Sequence, residues 1–273
     1  VIRERGYLDI MDLAIRVIRS RLLSIAGIAV LGVLPFGLFN HWLLGGETAA
    51  SLVNVELLLE DRIFNWVAFV AGLTVLVLLE VPLATAPLTL YLGQITFNNE
   101  FDARRAAGEF ARSLPQLFVL QGVGRALFIP FFITWFFPFV LWPYLNEIIL
   151  LERSPLWRRG RGVATTMSRI STLHSRNTGD LLARAVANAA LAPLLALAFG
   201  ASLWIIYCVL TESWTPTIPA ATLCAQIAIW MVAVFLAVVR FLAYLDLRIR
   251  NEGWELELRM RAEGLRIAPP VTA

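Results

Sequence analysis

The chain has 273 residues, 59% of them hydrophobic and 16% charged, with a mean hydropathy of +0.72. A soluble domain is near half apolar and about a quarter charged, so this composition excludes an ordinary water-soluble fold. The net charge of +3 rests on 23 basic residues, all arginine; they flank apolar blocks rather than forming one broad basic face, which argues against nucleic-acid binding.

The opening stretch, VIRERGYLDIMDLAIRVIRSR, carries too much charge before its apolar run for an ordinary signal peptide. It reads as a cytoplasmic amphipathic segment, residues 1–21, joined to a retained first span. That span runs from Leu22 to Leu44 and is long enough, at about 1.5 Å per residue, to cross a core of roughly 30 Å. The connection after it holds Glu47, Glu56, Glu60 and Asp61 against Arg62 alone. A second apolar block, about Ile63 to Gly93, could tilt, and Pro82 and Pro87 break its regularity and free backbone carbonyls. The next polar segment brings Arg104, Arg105 and Arg112, and Asn98 and Asn99 are placed to cap its helix.

Residues 114 to 151 are too long for one helix. Read as a single crossing, they would also put Arg153, Arg158, Arg159, Arg161, Arg169 and Arg176 on the opposite side from the earlier arginines. An even number of crossings removes the conflict. The block therefore divides near residues 129 to 132, with Pro130 as the break. Two short crossings and a re-entrant hairpin both satisfy parity; the hairpin needs its turn buried in protein or in a polar cavity.

A fifth span lies within Leu181 to Leu210 and a sixth within Leu223 to Leu245, joined by the proline-containing turn TESWTPTIPA. The expected fold is thus an all-α, polytopic transmembrane bundle of about six spans. It comprises a transmembrane domain at residues 22–245 and a cytoplasmic amphipathic helix at residues 246–268. Both termini would be cytoplasmic, in a bacterial inner membrane.

In that last segment WELELRMR alternates apolar and charged residues like a strand. Against this, Asp246 and Arg250, Glu255 and Arg259, and Glu257 and Arg261 all place acid four residues before base, and the composition favours helix. As a helix it carries two apolar stripes. Leu247, Trp254 and Leu258 form one, and Leu245, Ile249, Leu256 and Met260 form another nearly opposite. A helix lying on a membrane surface needs one apolar face; two imply contact with the protein's own loops and with lipid or a partner.

YLDLRIRNEGWELELRMRAE, together with NEIILLERSPLWRRGRG at 146 to 162, resembles bacterial polytopic proteins related to the membrane domain of glycerophosphoryl diester phosphodiesterases. The matching residues are Glu147, Leu150, Leu151, Glu152 and Arg153, then Tyr244, Asp246, Arg248, Arg250, Glu252 and Gly253. The resemblance implies a membrane architecture. It does not imply phosphodiesterase activity, because that chemistry belongs to a separate soluble domain with no counterpart in this sequence.

Charged residues inside apolar blocks need a partner or a wet cavity. Glu80 and Arg125 are expected to pair between the second span and the internal hairpin. Glu147, Glu152 and Arg153 are expected to fix a cytoplasmic turn, whereas Arg240 near a span end could simply snorkel. Cys208 and Cys224 flank the external turn, and two readings stay open: a disulfide, or two small buried hydrophobes. The two histidines, His41 and His174, fall on opposite sides of the expected topology, so no metal site or cofactor is expected. No base and nucleophile arrangement supports catalysis. The expected role is a noncatalytic membrane component or scaffold, contacting membrane phospholipids and other complex subunits or copies of itself. A small-solute or lipid transporter is the alternative.

Overall fold

Hydrocarbon offers no partner for a peptide group, so a chain this apolar must close its hydrogen bonds within each segment, and helices do so. The structure, a computed structural model, describes residues 6–45, 59–97, 100–127, 142–155, 165–174, 178–214, 218–251, 253 and 260. Among these residues every regular element is helical.

The amphipathic α1 (Tyr7–Ser20) buries Ile10 and Ala14 and ends at Arg21, which separates it from α2 (Leu22–Gly45). α3 (Leu59–Ala84) and α4 (Ala86–Phe97) meet at Thr85 and form a nearly continuous rod, because Thr85 N still donates to Val81 O and Thr89 N to Thr85 O. α5 (Ala103–Leu117) is capped by Asp102, whose Oδ1 accepts from the backbone of Arg104 and Arg105 at 2.9 and 3.0 Å. The cap is thus Asp102 rather than Asn98 or Asn99, which lie outside the described residues. Beyond α5 the helix widens into a π-helical turn, Phe118–Val123, and closes at Gly124–Ala126. Then come the short α6 (Leu145–Leu151), α7 (Thr166–His174), and the two longest helices, α8 (Thr178–Thr211) and α9 (Ile218–Asn251).

Among the described residues, four helical stretches are long and apolar enough to cross a membrane: Leu22–Leu44, Asn65–Phe97, Thr178–Thr211 and Pro219–Arg250. Six were expected. The two further passages fall in residues 114 to 151, whose middle, 128–141 with the expected break at Pro130, lies outside the described residues. The two ends of that excursion stand side by side, since Gln116 Nε2 donates to Ser154 O at 3.1 Å and to Thr166 Oγ1 at 2.8 Å.

α9 is the central helix. It packs against α1, α2, α3, α4, α7 and α8, and buries Ala228, Trp230, Val232, Val238, Phe241, Tyr244 and Leu247. It also runs without interruption past residue 245, where the transmembrane domain was expected to give way to a separate tail. By contrast α8 is a mainly solvent-facing or lipid-facing rod, with 6% of its most apolar stretch buried. Small residues set the close contacts here, as is common between membrane helices. A Cβ on Gly200 would stand 3.7 Å from Ala228 Cβ.

The tightest crossing is at Gly32 of α2, where an added Cβ would lie 2.1 Å from the carbonyl oxygen of Ala84. Only a hydrogen fits between these backbones. Gly32→Val is therefore expected to push α2 off the α3–α4 junction and cost about 1–3 kcal/mol, the usual penalty for overpacking. Thermal unfolding in a mild detergent measures this; Gly27→Ala, with nothing within 4 Å of the added carbon, should stay near the wild-type midpoint.

Candidate functional site

The functional candidates gather around the interruption in the α3–α4 rod. Pro82 has no N–H to give to the carbonyl of Leu78 one turn earlier, which leaves that oxygen without its normal helical donor. Arg125, on the turn after the π-helical segment, supplies a replacement: its Nη1 lies 3.4 Å from Leu78 O. One turn on, Asn146 Nδ2 donates to Pro82 O at 2.7 Å, and Asn146 Oδ1 accepts from Gln121 Nε2 at 3.0 Å. Gln121 sits in the π-helical turn itself. Such a turn shifts one side chain out of α-helical register and is frequent at functional positions. Here it accompanies an amide turned into the protein, 1% exposed.

The next rung is ionic. Arg240 of α9 donates through Nε to Glu147 Oε1 at 2.8 Å, and its Nη2 approaches Thr85 Oγ1 at 3.4 Å. Glu147 is 0% exposed, so it lies in the interior and not on a solvent-facing turn. Nearer the arginine-rich end, Glu152 accepts from Tyr244 OH at 2.7 Å and pairs with Arg169 at 2.5 Å. Arg153 follows with a left-handed φ of 51° immediately after the turn that ends α6, and its guanidinium reaches Glu109 of α5. The last rung joins α8 to α9. Arg184 pairs with Asp180 at 2.8 Å and approaches Asp246 at 3.5 Å, while Arg250 pairs with Asp246 at 2.9 Å. Tyr7 of α1 caps this layer by donating to Asn188, with Arg184 5.9 Å from its ring; burial raises the Tyr7 phenol above its ordinary pKa.

These groups form a ladder, with Arg240, Tyr244 and Arg248 spaced four apart along one face of α9. Glu80 stands apart from it on α3. Its Oε2 accepts from Asn40 Nδ2 of α2 at 2.7 Å, so the acid expected opposite Arg125 has an amide partner. Glu147, Glu152 and Arg153 are close in sequence, and the structure distributes them among four partners: Arg240, Arg169, Tyr244 and Glu109. Of the tail residues, Leu247 is buried, Leu245 and Ile249 are half-buried, and Met260 is exposed; Trp254, Leu256 and Leu258 lie outside the described residues. Cys208 is buried and Cys224 half-buried, both as free thiols.

Sequence reasoning assigned no role to Gln121 and treated Arg240 as a snorkelling residue. Arg240 carried a usable signal: with Tyr244 and Arg248 it makes a polar row spaced four apart on α9. Gln121 carried none, because a π-helical turn has no distinctive sequence. Within the ladder, Glu147 Oε2 and Gln121 Oε1 are buried acceptor oxygens with no hydrogen-bond partner among the described residues. The chemistry available is hydrogen bonding and charge pairing in a buried interior. Comparison with known proteins finds no matching family model, no similar curated protein and no similar solved structure.

Breaking a buried ion pair from one side strands the other charge, which typically costs about 3–5 kcal/mol. Glu147→Ala and Arg240→Ala should each lower the unfolding midpoint strongly in detergent. The double variant should lose clearly less than the sum, as expected for directly coupled residues. Additive losses in that cycle would show that the two side chains do not act as a pair.

Proposed function

We propose that this protein is a noncatalytic integral-membrane component of a larger assembly. It sits in a bacterial cytoplasmic membrane with six passages and with both termini on the cytoplasmic side. The observation that carries the reading is how the charges of the ladder are used. Glu147 is tied to Arg240, Glu152 to Arg169 and Tyr244, and Asp246 to Arg184 and Arg250, and these pairs draw together α6, α7, α8 and α9. Charges committed between helices brace a fixed frame, as a scaffold requires.

The passage count is supported by the juxtaposition of Gln116 with Ser154 and Thr166, which starts and ends the 114–151 excursion at one end of the bundle. The arginine-rich segments then share a side, in accord with the positive-inside rule. Docking is assigned to the chain beyond Asn251. Leu247, from one apolar stripe, is 1% exposed against the bundle, whereas Met260, from the other, is 66% exposed.

A transporter is the second reading. It is favoured by Glu147 Oε2 and Gln121 Oε1, which have no hydrogen-bond partner among the described residues and lie beside the interrupted helix, because such breaks line ion sites in transporters.

Gentle detergent purification from the native source should yield stoichiometric protein partners. Truncation after Asn251 should release them while the four long helices stay folded; if they remain bound, tail docking is wrong. Solute uptake into vesicles holding the purified chain alone, lost in Glu147→Gln, would instead establish the transporter. For topology, labelling of single cysteines introduced at residues 55 and 165 should place them on opposite sides of the membrane.

A further inference from the structure

A groove of about 1200 Å³ lies between α2 and α9, with α1 at one end and part of α8 at its side. Its walls are almost wholly apolar, formed by residues such as Leu22, Ala26, Val30 and Leu34 of α2 and Trp230 and Met231 of α9. Along α2 it extends from Leu22 to His41, about 29 Å at the helical rise, close to the thickness of a bilayer core. Arg19, the basic residue of the lining, stands at the α1 end, one turn before the first span begins. Arg16 is engaged by Asp12, whereas Arg19 and Arg21 are exposed and form no ion pair among the described residues.

We propose that this groove binds one anionic phospholipid, with its acyl chains along the α2–α9 walls and its phosphate at Arg19. The occupant must be apolar over most of a membrane thickness and negatively charged at one end. A phospholipid has that distribution, and a basic residue at the membrane surface favours anionic headgroups. A partner's transmembrane helix fits less well. Gln226 Nε2 reaches Gly37 O at 2.5 Å, so the two walls touch at that level, and a helix about 10 Å wide cannot pass between them. Flexible acyl chains follow a slot that narrows. The site is independent of the tail and of any assembly partner.

The test uses the full chain purified in mild detergent, exposed to equal amounts of phosphatidylglycerol and phosphatidylcholine with identical chains, and read by native mass spectrometry. The wild type should retain phosphatidylglycerol about fivefold over phosphatidylcholine, the preference expected of roughly one basic residue. Arg19→Gln should bring that ratio near one without reducing total bound lipid. Val30→Trp, on the open wall, should lower retention of both lipids several-fold, and Ala26→Trp provides a second filling variant if the first does not fold. As an independent readout, brominated chains should quench fluorescence in the wild type more than in Trp230→Phe. Equal retention of the two lipids by the wild type, or retention unchanged by groove filling, overturns the proposal. So does a protein species, another chain or a second copy, that is lost with the filling variants while lipid binding stays the same.

Discussion

A carbonyl left without its amide in hydrocarbon must find another donor, and this constraint organises the interior. Pro82 creates the problem on the longest apolar rod of the first half of the chain. Arg125 answers it from a different part of the sequence, and Asn146 adds a donor at the carbonyl of Pro82 itself, one turn on. Their arrival draws the π-helical turn and α6 against α3, and α6 in turn brings Glu147 to Arg240. The short helix at residues 145–151 is too brief to be stable alone. It is held because its polar first turn is needed where the rod is interrupted, while Ile148, Ile149 and Leu150 fill the core around it.

The same arrangement explains why α9 is the most enclosed of the long helices. It meets apolar neighbours along its middle, and toward its end it presents Arg240 and Tyr244 to acids and a hydroxyl on other elements, with Arg248 approaching the Tyr244 hydroxyl. Hydrophobic attraction between helices is weak in a lipid solvent, so packing of small residues and polar contacts carry more of the specificity. Gly32 against Ala84 and the rungs from Glu147 to Asp246 are these two devices at work. The apolar groove beside α2 is what remains where neither device draws the helices together.

Much of the architecture could be read from residue order. Leu22 to Leu44 and the two late blocks have the length and uniform hydropathy that only a spanning helix uses, and the structure has helices there. The parity of arginine-bearing segments led to an expectation that the chain near residue 114 returns close to residue 152, and Gln116 meets Ser154. What escaped was set by tertiary contact. Asp102 caps α5, and its own backbone N–H is held at 3.0 Å by Gln94 Oε1 from across the turn, a contact no local pattern announces. Glu80 found Asn40 on α2 because antiparallel packing at Gly32 sets that register, and no local pattern encodes which helices are neighbours. Arg240 resembled any basic residue near a span end; its inward direction depends on Glu147 lying 93 positions earlier.

The sparse burial of α8 has a separate consequence. Its main packing partner is α9, and most of its surface meets the surrounding medium, including Leu194, Leu197, Ile205, Ile206 and Val209. On that outer surface selection can act on greasiness but hardly on shape, so alanine, leucine, isoleucine and valine are interchangeable there. Over evolutionary time this rod should drift in spelling faster than α9 does, keeping its hydropathy while its individual letters change.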